Sequence, residues 1–233
     1  MKFKHIIGIL PKPKAILFDW DGTIIKLSRE RFFTSCTNTL VQLGHAPLKR
    51  EELKETGSIS ESLARRIKCP NQLLEARKLF YKKFSEDSIS EDDLMNGATS
   101  IIKKAKYHNI PKGIVSNLDT ILLKSQLKMV NLYNEFEVII GAEEGEPIKP
   151  HPAPLLKSLK SLNLSPGKDI WVIGDTSETD IQCANAARCT SFLVNSQGTS
   201  NTIKPDIYLE SLSEFEEIID AVIGKTKERS YSI

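Results

Sequence analysis

The sequence predicts an α/β protein, a doubly wound parallel sheet with an all-helical segment inserted after its first strand. Three observations predict this. Short apolar runs recur along the chain with helical patterns between them, as in βαβ units. The first run, Ala15-Ile16-Leu17-Phe18, ends in Asp19-Trp20-Asp21-Gly22-Thr23. Two carboxylates therefore fall at the carboxyl end of a buried strand, where open α/β sheets place their ligands. Residues 25–93, finally, carry helical spacing and no convincing strand.

Strands are expected at 15–18, 113–116, 136–140, 170–173 and 191–194, with a weaker sixth at 207–209. Each is a short apolar run of the kind buried on both faces of a sheet. Helices are expected at 100–107, 120–130, 152–162, 180–187 and 214–223, joined by right-handed crossovers. Within the insertion, residues 27–43 place Phe32, Phe33, Cys36, Leu40 and Leu43 along one side of a helix, and Gly44 ends it. Residues 60–67 and 73–84 repeat the style. The simplest organisation is a core of residues 1–24 and 95–233 with a helical cap of residues 25–94. The hinges fall near 24–27 and 94–97, and the cap stands over the strand ends. The alternative is a few extra helices packed on the core.

A chain of 233 residues accommodates one α/β domain with a large insertion, or two modest domains. An apolar content of 40% and a charged content of 27% are ordinary for a soluble globular protein. The net charge of +2 is well mixed and leaves no basic patch of nucleic-acid size; Lys225, Lys227 and Arg229 read as a solvated tail. Residues 1–13 have too short an apolar core for a cleavable leader, and no run is long enough to cross a bilayer. Cys36, Cys69, Cys183 and Cys189 show no CxxC spacing. They read as free, mostly buried thiols in a reducing, cytoplasmic compartment, with Cys69 the more exposed. Neither nucleic acid nor membrane is expected as a partner. A monomer and a homodimer remain equally open, because a helical apolar stripe serves a cap core and an interface alike.

Four strand ends carry polar residues suited to one reaction. The first has Asp19 and Asp21. The second reads Ile114-Val115-Ser116-Asn117. The third segment is Glu146-Pro147-Ile148-Lys149-Pro150, in which flanking prolines stiffen the loop around a lysine. The fourth is Gly174-Asp175-Thr176, followed by Asp180. Each piece is weak alone; their order at successive strand ends is the signal. Phosphoryl transfer needs neutralised equatorial oxygens and an in-line nucleophile. Lys149 supplies a fixed positive charge and Ser116 a hydrogen bond. Asp19, Asp175 and Asp180 make an oxygen-rich site suited to Mg²⁺, which would offset repulsion between a carboxylate and an anionic ester.

This set of residues resembles the haloacid dehalogenase-like hydrolases, and more narrowly their phosphoglycolate phosphatase-like branch, over residues 15 to 210. The resemblance implies a Rossmann-like core with a helical cap after the first strand. It implies an Mg²⁺-dependent phosphatase of a small phosphorylated metabolite, 2-phosphoglycolate among the candidates. Asp19 would be the nucleophile, forming an aspartyl-phosphate, and would touch the metal. Asp21 would protonate the leaving alcohol and then deprotonate the attacking water, its carbonyl also binding the metal. Gly22 and Thr23 would support that loop. Ser116 and the Asn117 N–H would hold phosphate oxygens, and Lys149 would neutralise both Asp19 and phosphate. Asp175, after Gly174, would complete the metal site, and Asp180 would bind or orient a metal water.

Relatives that cleave carbon–halogen bonds usually lack the second aspartate of the first motif, so Asp21 argues against a dehalogenase. Phosphomutases keep both aspartates and stand as the alternative. A non-catalytic regulatory or interaction protein of the same fold is the alternative of another class, though no catalytic position is degraded. The chain departs from the common pattern in three places. Asp175 to Asp180 is a spacing of five where four is usual, so Glu178 rivals Asp180 for the metal shell. Leu118 stands where phosphoglycolate phosphatases often carry lysine. Trp20 replaces the commoner phenylalanine and is expected to pack away from substrate. Arg29, Arg50, Arg65, Arg66, Lys68 and His45 are candidate substrate-facing residues of the cap; each also reads as an ordinary surface group.

Overall fold

Six strands form one parallel sheet: β1 (Ala15–Phe18), β2 (Lys112–Asp119), β3 (Val138–Ala142), β4 (Ile170–Gly174), β5 (Thr190–Val194) and β6 (Ile207–Leu209). Their order is β3-β2-β1-β4-β5-β6. The structure is a computed structural model and describes residues 3, 7–26, 29–52, 63–64, 66–86, 89–194 and 202–229. The chain steps from β1 out to β2 and β3, then returns past β1 to lay down β4, β5 and β6. This reversal opens a crevice at the carboxyl ends of β1, β2 and β4, the usual ligand position in such sheets.

Strand alternation assigns the two faces. Ile16, Phe18, Ile114, Trp171, Ile173, Phe192 and Val194 face one side. They meet α3 (Ala98–Tyr107), α4 (Thr120–Met129) and α7 (Leu212–Arg229) through Ile101, Leu123, Phe215 and Ile218. Ala15, Leu17, Val115, Ile170 and Val172 face the other side, against α5 (Ala153–Ser161) and α6 (Gln182–Ala186). The period of two puts neighbours in β1 on opposite faces, and all four of its residues are fully buried. That double burial is why the strand reads as an unbroken apolar run.

Between β1 and β2 lie α1 (Arg29–Gln42) and α2 (Pro70–Glu86), with a short 3₁₀ turn at Arg50–Glu52. They share a third apolar cluster built on Cys36, Leu40, Phe80 and Phe84, with Phe32 edge-on to Phe80. Leu122 of α4 belongs to the same cluster, and Leu118 at the end of β2 packs against it. The insertion therefore rests on the carboxyl end of β2. Its two connections run side by side: Ile25 and Leu94 form an antiparallel bridge. The Met95 N–H donates to the Ile24 carbonyl at 2.9 Å, and the Lys26 N–H to the Asp93 carbonyl at 2.8 Å.

Several boundaries differ from the sequence reading. β2 continues through Asn117 to Asp119, beyond its apolar part, and β3 starts after Phe136. Residues 180–187 are not one helix: Ser177–Ile181 make a π turn and α6 follows. Half of the helix expected at 60–67, residues 60–62 and 65, lies outside the described residues. All four cysteines are free; Cys36, Cys183 and Cys189 are buried and Cys69 is exposed. Among the described residues no helix is long and apolar enough to cross a membrane.

Trp20 is fully buried among the face-one residues, and its indole Nε1–H donates to Gln126 Oε1 of α4 at 2.6 Å. Removing a buried acceptor leaves the full desolvation penalty of its donor. Gln126→Leu is expected to lower stability by about 1–3 kcal/mol, read as a lower urea midpoint at unchanged slope.

Candidate active site

Just past β1 the chain turns within five residues. The Trp20 carbonyl accepts the N–H groups of Ile24 and Ile25, and the Gly22 N–H donates to the Ile25 carbonyl at 2.8 Å. The turn needs a positive φ at Gly22, +82°, which side-chain-bearing residues resist. A Cβ there would also run into the Asp175 carboxylate. Asp19 stays in register with the sheet, its N–H donating to the Ile173 carbonyl at 2.8 Å. The Thr23 hydroxyl lies 3.4 Å from Asp19 Oδ2, as its donor. Asp21 is partly buried.

Lys149 is the hub. Its ammonium donates to Asp19 Oδ1 at 2.6 Å, to Asp180 Oδ1 at 2.6 Å and to the Val115 carbonyl at 2.7 Å. These three bonds use all three ammonium hydrogens. The loop carrying Lys149 is held by Asn117, whose side-chain amide donates to the Lys149 carbonyl and accepts its N–H, both at 2.9 Å. Sequence reasoning picked Asn117 for its backbone N–H and missed this clamp. The Ser116 Oγ is buried and accepts the Leu118 N–H at 3.0 Å.

The long Asp175–Asp180 spacing has a structural explanation. The π turn takes up the additional residue, as such turns often do at functional sites. The Asp180 N–H donates to the Thr176 carbonyl at 2.9 Å, and Asp180 Oδ2 accepts the Thr176 N–H at 3.0 Å. Asp180 is thereby buried against Lys149, while Glu178 is exposed. Gly174 permits the approach, because a Cβ there would overlap the Asp180 side chain.

Ligand oxygens of Asp19, Asp175 and Asp180 lie within 4.8 Å of one another. One ammonium faces three carboxylates, and burial raises two of them, Asp19 and Asp175. Burial pushes Asp19 up to about 7, with the charges of Asp180 and Asp175 adding and Lys149 opposing. Burial likewise pushes Asp175 up to about 6, reinforced by Asp180. Asp21 rises to about 7 through burial and the Asp19 charge. Burial opposes the charge on Lys149, yet Asp180 and Asp19 together hold it above the ordinary lysine range. An all-oxygen donor set with excess negative charge fits a hard divalent cation.

The cap candidates are not drawn into this cluster. Arg50 pairs with Glu30 at 2.8 Å, Arg66 makes a double contact with Glu52, and Lys68 donates to the Ala64 carbonyl at 2.9 Å. The His45 N–H closes the end of α1 on the Leu40 carbonyl. Arg65 and the side chain of Arg29 lie outside the described residues. A residue of the insertion that reaches the core beside β2 is Arg77, which the sequence reading did not single out. Its Nη2 donates to Asp119 Oδ2 at 3.0 Å and its Nη1 to Glu144 Oε2 at 3.0 Å. Only Asp119 had a local signal, since it precedes a helix and caps it.

A sequence profile of the haloacid dehalogenase-like hydrolases matches residues 16–194. The chain belongs to this family. Relatives include the phosphoglycolate phosphatase of Nitrosococcus oceani, 26% identical over 225 residues, with 91% of this chain and 98% of that one covered. The pyrophosphatase PpaX of Bacillus anthracis is 27% identical over 216 residues, with 89% and 97% covered. Among solved structures, β-phosphoglucomutase from Clostridium difficile matches with a TM-score of 0.75 at 22% identity, covering 92% of this chain and 99% of that one. At that identity the likeness shows the fold. Membership of this family is consistent with the sheet order seen here.

The raised carboxylates set the pH dependence of the metal-free protein. A carboxyl whose folded value lies above its unfolded value contributes stability that is present below about pH 4 and lost as pH rises through the folded value, here 6 to 7. Asp175→Asn removes one such charge. In EDTA at pH 7.5 it is expected to be more stable than the parent by about 1–3 kcal/mol, melting higher by roughly 2–4 °C per kcal/mol. The gain should shrink towards pH 5. An unchanged melting temperature at both pH values would show that burial does not penalise the Asp175 charge.

Proposed function

We propose that the protein is an Mg²⁺-dependent phosphatase that hydrolyses a small phosphate monoester through an aspartyl-phosphate on Asp19. The observation that carries this reading is the Lys149 ammonium 2.6 Å from both Asp19 and Asp180, beside a three-carboxylate cluster at the strand ends. In this reading an Asp19 carboxylate oxygen attacks phosphorus in line, and the ester oxygen leaves with a proton from Asp21. An acid raised to about 7 is suited to donate that proton and, once ionised, to accept one from the water that hydrolyses the intermediate. Lys149 opposes the rise that burial imposes on Asp19 and supplies fixed positive charge beside the phosphate. Ser116 and the Asn117 N–H complete the phosphate cradle, and the Asn117 side chain holds Lys149 in place.

Asp19, Asp175 and the Asp21 carbonyl would hold Mg²⁺. Asp180, already engaged by Lys149 and the Thr176 N–H, is better suited to orient a metal water. When bound, the ion supplies charge neutralisation between carboxylate and ester and polarises the phosphoryl group.

We read residues 25–94 as a cap that excludes bulk water during attack, supported by the separate apolar cluster of α1 and α2. The phosphoglycolate phosphatase relative makes 2-phosphoglycolate a candidate substrate, and the pyrophosphatase relative makes pyrophosphate another. Four free cysteines suit a cytoplasmic location.

Inorganic phosphate release from a panel including 2-phosphoglycolate, pyrophosphate, sugar phosphates and nucleoside monophosphates tests this reading, with Mg²⁺ and with EDTA. Asp19→Asn is expected to remove turnover while the protein stays folded, a loss of at least about 10³-fold for a nucleophile. Steady turnover by Asp19→Asn, or turnover unaffected by EDTA, contradicts the mechanism. Interconversion of phosphate positions without phosphate release assigns a mutase.

A further inference from the structure

Arg77 sits on α2, yet its guanidinium touches two loops of the core. Asp119 ends β2, three residues after Ser116, and caps α4 by accepting the Ile121 N–H at 2.9 Å. Glu144 lies in the segment between β3 and Lys149. The Arg77 and Asp119 side chains are only 15% and 11% exposed, so this arm of the contact is largely withdrawn from water; Glu144 is 80% exposed. Tyr81, one turn along α2, lies beside the same pair, and Leu118 and Leu122 join the cap cluster next to it.

The two loops are also tied to each other. Asn117 clamps the Lys149 backbone, and the Thr120 hydroxyl donates to the Ala142 carbonyl at 3.3 Å. Arg77 adds the link that comes from the cap. Resting on the phosphatase reading above, we propose that Arg77 is a positioning residue through which the seated cap holds segments 116–119 and 142–149 in mutual register. Ser116 and Lys149 are then in place for phosphate only while α2 is docked. The largely buried carboxylate makes the contact selective: without the guanidinium, Asp119 keeps its desolvation penalty and loses the positive charge that Arg77 supplies. The loops then relax towards water. Cap seating and assembly of the phosphate site become one event.

Hydrogen exchange by mass spectrometry and steady-state hydrolysis of p-nitrophenyl phosphate with Mg²⁺ test this on the full chain, comparing parent, Arg77→Ala, Arg77→Lys and Asp119→Asn. Arg77→Ala is expected to speed exchange in 116–122 and in 142–149, and to lower kcat about three- to tenfold with KM near the parent value. Arg77→Lys should recover part of both effects, since it restores the charge without the fork. Unchanged exchange in the two segments, or faster exchange confined to α2, overturns the proposal. A raised KM with unchanged kcat also overturns it, because Arg77 would then be contacting substrate. If the parent hydrolyses no ester, the phosphatase reading fails, and the exchange comparison still decides the coupling. Should Arg77→Ala not fold, Arg77→Lys and Asp119→Asn carry the same two readouts, Asp119→Asn retaining a cap oxygen for Ile121.

Discussion

A buried ammonium stands among three buried or half-buried carboxylates, and the site depends on it. Taken singly, Asp19 and Asp180 are poor candidates for burial as anions, and Lys149 is a poor candidate for burial as a cation. Together they are tolerated because each hydrogen of the ammonium has an acceptor, at 2.6 to 2.7 Å. Much of the surrounding sequence serves this arrangement. Gly174 gives Asp180 room, Gly22 gives Asp175 room, the π turn brings Asp180 inward, and Asn117 holds the lysine loop. Breaking such a hub from either side leaves an uncompensated charge out of water, so these positions are coupled and substitutions among them should not add.

Much of the sheet was legible because its physics is local. β1 and β4 are buried on both faces, and burial on both faces writes an uninterrupted apolar run into the sequence. The polar ends of β2 were not legible, since Asn117 and Asp119 are strand residues chosen for what they bind rather than for packing. The π turn was invisible for a related reason. Helical periodicity at 180–187 is real, but a hydrophobic pattern does not report whether the preceding turn closes four residues back or five. Phe136 looked like a strand start because it is aromatic and apolar; it is buried just ahead of β3 instead.

The site divides in the same way. Asp19, Lys149, Asp175 and Asp180 were singled out by their order along the chain, and the fold brings their side chains together. What the sequence could not supply were partners distant in the chain. Asn117 meets Lys149 across 32 residues, Arg77 meets Asp119 across 42, and Trp20 meets Gln126 across 106. None of these pairs has a periodic signature. Arg77 in particular resembles any charged residue on the surface of an amphipathic helix until the sheet is assembled beside it.

The bridge between Ile25 and Leu94 has a mechanical consequence. A domain inserted through two independent tethers can swivel and slide, because each tether bends on its own. Here the entering and leaving strands are hydrogen-bonded to each other, so they bend as a pair. Paired connections leave fewer independent ways to turn than two separate ones. The pairing therefore narrows the orientations in which α2 can lie beside the end of β2.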